Sequence, residues 1–214
     1  MTVLVCAAHA DDEVIGLGGT IAKFAKTEDV IVVIFSYGAD VAGRLLSWPP
    51  TLSEQKLTKK RIYESEKAGE FLGVKETVFL GLKGGEKMED IDTSRKQLLM
   101  SIIDKYKPDK IFYHSIKDSH KDHRLVNKVM TELISKMEKK PEIFMYQVNM
   151  FDFSQSEPKI IFDISNEFAK KLKAMDFFKT QIISTMMLKP LILLKSIYFG
   201  RKHNMRFAEY FFSE

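Results

Sequence analysis

Apolar residues run unbroken from Val3 to Ala8, then recur on one helical side at Val14, Leu17, Ile21 and Phe24. A short apolar run bounded by polar residues predicts a buried strand over 2–8. The wider spacing after it predicts a helix from about Glu13 to Ala25. The alternation then repeats. "DVIVVIFS" (29–36) reads as a second buried strand, residues 54–72 as a helix closed by Gly73, and "TVFLGL" (77–82) as a third strand. "GGEKMED" reads as a loop, residues 92–107 as a helix stopped before Pro108, and "DKIFYHS" (109–115) as a fourth strand. Beyond it the pattern predicts a helix over 124–138, strands over 142–149 and 159–165, and a helix over 166–183.

Strand alternating with helix at this spacing predicts an α/β fold: a Rossmann-like, mostly parallel sheet with helices on both faces. Without a linker, repeat or low-complexity stretch, residues 1–214 read as a single domain. In such sheets ligands gather at the carboxyl ends of the strands. The polar clusters "HADDE" (9–13), "SYG" (36–38) and "SIKDSHKDHR" (115–124) each follow a strand, so all three are expected on one rim.

Composition changes this picture little. Of the residues, 45% are hydrophobic and 29% charged, with a formal net charge of +4. The lysines are scattered rather than gathered into an arm, which gives no basis for nucleic-acid binding. The single cysteine, Cys6, lies in the first apolar run and reads as a buried hydrophobe. One cysteine and no basic leader suit a reducing, cytoplasmic location.

Three adjacent acids, Asp11, Asp12 and Glu13, repel one another unless a cation sits among them. His9 and Asp12, joined by His123 from the far loop, suit one divalent metal of the zinc type and leave a position open for water. Asp11 is then placed to take a proton from that water. His120, three residues before His123, can stabilise an oxyanion or protonate a leaving group, and Asp122 can orient an imidazole. Such an acid–base pair fits hydrolysis of an amide or ester. "GLGGT" (16–20) lacks the dinucleotide-binding spacing and reads as close helix–sheet packing.

Together, "AHADDE" with the following "GLGGTIA" and the later "DSHKDH" closely resemble the LmbE-like deacetylases, the family of the GlcNAc-PI de-N-acetylase PIG-L. "RIYESEKAGEFLGV" (61–74), "KAMDFFKTQ" (173–181) and "FAEYF" (207–211) resemble further segments of that family. The resemblance implies His9, Asp12 and His123 as zinc ligands, Asp11 as general base, and His120 as general acid or oxyanion partner. It also implies Asp122 in support of the histidines and Arg61 in contact with the substrate sugar. The implied activity is removal of the N-acetyl group from an N-acetylglucosamine-containing sugar or conjugate. An amidohydrolase or esterase on another acyl substrate, and a silent sugar-binding protein, are the alternatives. Ala10, Ala39, Lys121 and Phe178 depart from the family pattern at the substrate rim, not at the metal.

The stretch 182–203 fits none of this. Its apolar run is broken by Lys189, Pro190 and Lys195, and reads as too short and too charged to span a bilayer. A helix and loop covering the rim is the preferred reading. An in-plane contact with a membrane surface and a homo-oligomer contact are the alternatives.

Overall fold

The computed structural model describes residues 1–82, 91–148 and 159–213. Seven strands form one sheet: β1 (Thr2–His9), β2 (Asp29–Ser36), β3 (Glu76–Leu82), β4 (Lys110–His114), β5 (Glu142–Tyr146), β6 (Lys159–Asp163) and β7 (Ala208–Phe212). Their order is β3-β2-β1-β4-β5-β7-β6. The first five are parallel, while β7 runs antiparallel to both β5 and β6. Among the described residues, seven α-helices accompany them: α1 (Asp12–Phe24), α2 (Val41–Leu45), α3 (Glu54–Leu72), α4 (Thr93–Tyr106), α5 (Lys121–Ser135), α6 (Phe168–Ala174) and α7 (Ile182–Lys202).

The chain winds outward from β1 to β2 and β3, then returns to lay β4 on the other side of β1. The order therefore reverses between β1 and β4, and a crevice opens above their carboxyl ends. His9 ends β1 and His114 ends β4, so both imidazoles stand at that crevice. Strand periodicity supplies a core on each face of the sheet. Val3, Val5 and Ala7 pack into the layer under α1, while Leu4, Cys6 and Ala8 pack into the layer with Leu99 and Val126.

Helix α1 lies very close to the sheet. A methyl group at Gly16 would meet the Tyr146 ring at 2.5 Å, and one at Gly19 would meet Ile164 at 2.7 Å. Leu17 breaks the helical backbone with φ −144°. The amide groups beyond the break are taken by Glu209 of β7, which accepts from Gly19 N at 3.1 Å and Thr20 N at 2.7 Å. Lys171 pairs with the same carboxylate at 2.6 Å. "FAEYF" thus carries the acid that satisfies the kinked helix, where an unpaired buried amide is costly.

Helix α3 follows the expected bounds, with Ser53 as N-cap and Gly73 at φ 98° closing it. Three expectations need correction. The helix expected over 166–183 is broken. After α6 the chain makes two 3-10 turns, 175–177 and 179–181, around a non-helical Phe178. Tertiary contacts overrule the periodicity there. Phe178 is buried, Thr180 bonds Glu64 through both N and Oγ1, and Gln181 bonds Asp11. The stretch 182–203 is a single helix through Lys202 with Pro190 inside it, not a helix and loop. The strand expected over 142–149 ends at Tyr146. Residue 149 and the "GGEKMED" loop lie outside the described residues.

Candidate active site

Two chain turns build the site. Between β1 and α1, Asp11 holds φ 128° and ψ −28°, a conformation that costs a residue with a side chain about 1–3 kcal/mol. Its surroundings compel it. Asp11 N donates to Glu13 Oε2 at 3.0 Å, and Ser65 Oγ of α3 holds Glu13 Oε1 at 2.9 Å. Gln181 Nε2, just before α7, donates to Asp11 Oδ2. The strained turn points Asp12 back under β1, where Asp12 Oδ2 accepts from His9 N at 2.9 Å.

The second turn joins β4 to α5. Asp118 is its hub: Oδ1 accepts from His120 N at 3.0 Å and Oδ2 from Val148 N at 2.9 Å. His120 is the N-cap of α5, its Nδ1 accepting from Asp122 N at 3.2 Å. His123 follows in the first helical turn, buried.

The two turns converge with a simple symmetry. Asp12 Oδ2 lies 3.4 Å from His9 Nδ1 and 3.2 Å from His123 Nε2. The far nitrogen of each ring faces a carboxylate of its own. His9 Nε2 is 3.2 Å from Asp122 Oδ2, and His123 Nδ1 is 3.0 Å from Asp118 Oδ1. Tetrahedral bonds of about 2.1 Å to a zinc-type ion set donor atoms about 3.4 Å apart, the separation at which each histidine stands from Asp12 Oδ2; among the described residues, the ligand atoms that all lie within 4.8 Å of one another belong to Asp12, His114 and His123 and to His9, His120 and His123. Carboxylates behind ligating histidines fix the rings and raise their basicity.

His123 is thus brought to Asp12 and beside His9, over a hundred residues away in sequence. Asp122 touches His9 rather than His123, which the second turn supplies with Asp118 instead. The sequence reading passed over Asp118; its signal was an acid five residues before His123 in "DSHKDH". His114, at the end of β4, is also part of the site. Its ring stacks on His123 with centroids 4.0 Å apart, and its Nε2 lies 3.5 Å from Asp12 Oδ2. That nitrogen already accepts from Ala8 N at 3.1 Å, which occupies its lone pair and disfavours it as a ligand. His120 also lies near: the ligand atoms of His9, His120 and His123 fall within 4.8 Å of one another. Its committed Nδ1 leaves Nε2 as the proton-bearing nitrogen of the neutral ring.

Arg61 enters from α3 and is buried rather than exposed. Its NH1 donates to the carbonyl oxygens of Tyr37 and Gly38 and its NH2 to Ser47 Oγ. It ties the turn after β2 to the turn after α2.

The electrostatics follow from burial and pairing. Burial lowers His123, but Asp12 and Asp118 outweigh it and push the ring up to about 10. Burial likewise lowers His9, and bonds to Asp12 and Asp122 reverse this and raise it to about 9. His114, dominated by burial beside His123, is held down at about 4. Asp12 is buried, yet the surrounding histidines hold it well below the usual carboxylate range. Asp11 is pushed well up by burial and by Asp12, against the pull of Arg61. Burial raises Glu13 to about 7. His120 is lowered by burial and by His123. Without a metal, His9 and His123 therefore hold protons at neutral pH, and a bound ion must displace them. Metal binding at pH 7 is expected to release about two protons, with apparent affinity rising as pH climbs toward 9. Calorimetry in buffers of different ionisation enthalpy measures this; release of no protons would remove these histidines from the ligand set.

Comparison with known proteins gives the same picture. The PIG-L family, described as GlcNAc-PI de-N-acetylase, matches residues 4–134. A probable N-acetyl-alpha-D-glucosaminyl L-malate deacetylase 2 of Bacillus cereus is 27% identical over 188 residues, covering 84% of this chain and 83% of the relative. Among solved structures, N,N'-diacetylchitobiose deacetylase from Pyrococcus horikoshii superposes with a TM-score of 0.81 at 25% identity, covering 98% of this chain and 82% of that one. GalB, the 4-carboxy-2-hydroxymuconate hydratase of Pseudomonas putida, shares the fold with a TM-score of 0.80 at 23% identity, covering 99% of this chain and 95% of that one.

Proposed function

The chain belongs to the PIG-L family of metal-dependent deacetylases, and from that premise we propose that it hydrolyses the N-acetyl group of an N-acetylglucosamine-containing small molecule, with zinc held by His9, Asp12 and His123. The observation that carries this reading is the paired geometry of the two histidines. Each turns one nitrogen toward Asp12 Oδ2 and the other toward a carboxylate. A protein that only bound sugar would have no use for such a set beside a buried, strained Asp11.

When bound, the ion would polarise the amide carbonyl and acidify the attacking water. The chain's own groups supply the rest. Asp11 takes the proton of the attacking water. Burial and the neighbouring Asp12 raise its affinity for a proton, which suits a group that must accept one. Gln181 and the Asp11 backbone bond to Glu13 hold the carboxylate in place. His120, half-exposed at the mouth, presents Nε2–H to the developing oxyanion, and the proton taken up by Asp11 passes to the departing amine. Asp118 and Asp122 keep the two ligating rings in register. Arg61 positions the rim through Gly38 and Ser47, and its charge favours the ionised form of Asp11. The buried lone Cys6 supports a reducing, cytoplasmic setting.

Acetate release tests the proposal directly. Zinc-loaded protein is expected to free acetate and an equal amount of primary amine from at least one member of a panel of N-acetylglucosamine glycans, malate and inositol conjugates. Release of acetate from O-acetyl or unrelated amide substrates alone would assign a different acyl hydrolase to the same residues.

A further inference from the structure

Helix α7 is apolar on two faces. Inward, Ile192 and Phe199 are buried and Leu188 and Leu191 pack partly buried against the core, beside the buried polar Thr185, Lys195 and Ser196, with Lys195 Nζ 4.9 Å from the Tyr210 ring centre. The stripe it turns outward is apolar as well: Ile183, Met186, Met187, Pro190, Leu193 and Leu194, at spacings of three and four. Met187 is 70% exposed and Leu194 59%. From Ile183 to Tyr198 this stripe runs about 22 Å. Soluble helices are polar on their outward face, and a continuous exposed apolar face of this size marks a surface that something covers.

The stripe continues past the helix. Trp48 N donates to Thr180 O at 2.8 Å, so the turn after α2 abuts the start of α7. That turn exposes Leu45, Leu46 and Trp48, the last by 57%. The patch lies on the rim of the site, since Gln181 holds Asp11 and Ser47 holds Arg61.

We propose that the outer face of α7 and the 45–48 turn form a docking surface for an anionic lipid bilayer, with the helix lying in the interface plane. The charges select this occupant. Exposed Lys179 precedes the stripe, and exposed Arg201, Lys202 and Arg206 follow it. No acidic residue occurs from 177 to 208. An antiparallel pairing with a second copy would set Lys179 against Arg201 and Lys202 with no acid from either helix to offset them. Anionic headgroups meet the same cations favourably. Trp48 and Tyr198 near opposite ends of the stripe suit the polar–apolar boundary of a membrane. Contrary to the expectation from its sequence, the helix is by length and composition long and apolar enough to cross a bilayer. Its packing against the domain through Ile192, Lys195 and Phe199 holds it parallel to the surface instead. Docking requires nothing of the hydrolase chemistry, so the two readings fail independently.

Trp48 is the only tryptophan, and its emission reports the event. With vesicles of phosphatidylcholine and phosphatidylglycerol, the emission is expected to shift to the blue and the protein to sediment with lipid. Phosphatidylcholine alone is expected to give neither. M187E/L194E, at exposed positions, should weaken partition at least about tenfold, as burying one such side chain is worth about 1.5–3 kcal/mol. R201E/K202E is a second variant that leaves the apolar stripe intact; each lost cation should cost about fivefold. Absence of partition, equal partition onto neutral vesicles, or partition unchanged in both variants would overturn the proposal. So would a dimer that L194E dissolves in a protein that ignores vesicles, which would assign the face to a second copy.

Discussion

Asp11→Asn is expected to retain one metal ion per chain while kcat falls about 10²–10⁴-fold, the usual cost of losing a general base. The two side chains have the same shape, and asparagine tolerates positive φ better than most residues, so the strained turn at φ 128° should survive. The amide cannot take a proton from water. Asp12, which the histidines face, is untouched. Elemental analysis and turnover on the same preparation separate the outcomes. A variant that lost its metal but regained activity with added zinc would exchange the roles of Asp11 and Asp12.

His123→Ala should remove metal and turnover together. It deletes one ligand and leaves Asp12 and Asp118 facing a void without the imidazole that now lies 3.2 and 3.0 Å from them. Asp118→Asn provides the graded comparison. It keeps the ring but weakens the group behind it, and loss of such a partner typically costs about 10–100-fold in metal affinity. Dialysis against zinc buffers would rank the wild type above Asp118→Asn, and that above His123→Ala. Equal affinity in all three would remove His123 from the site.

The inner site was legible because its residues sit in short local patterns at strand ends. "HADD" and "HKDH" each announce their chemistry, and the strand–helix alternation says they share a rim. What supports them was less visible. Gln181 reaches Asp11 from 170 positions away, with no local spacing to betray it. Ser65 reaches Glu13 from the middle of α3, where it looks like an ordinary polar helix residue. Arg61 is tied to the substrate by the family resemblance alone, and its bonds to the carbonyls of Tyr37 and Gly38 were invisible because an arginine on a helix says nothing about its direction. Phe178 broke the helix expected over 166–183 through tertiary contacts that periodicity does not encode. The same blindness hid the second, outward apolar face of α7. Lysines in an apolar run suggest an outward polar face, yet Lys195 packs inward over Tyr210.

Titration of metal-stripped protein with zinc, followed by acetate release from an N-acetylglucosamine conjugate, tests the union of metal site and reaction most directly. Activity should be absent at the start, rise linearly, and break near one equivalent per chain, as expected for a single site of three protein ligands. Full turnover in the stripped protein, or no turnover with the site saturated, would contradict it.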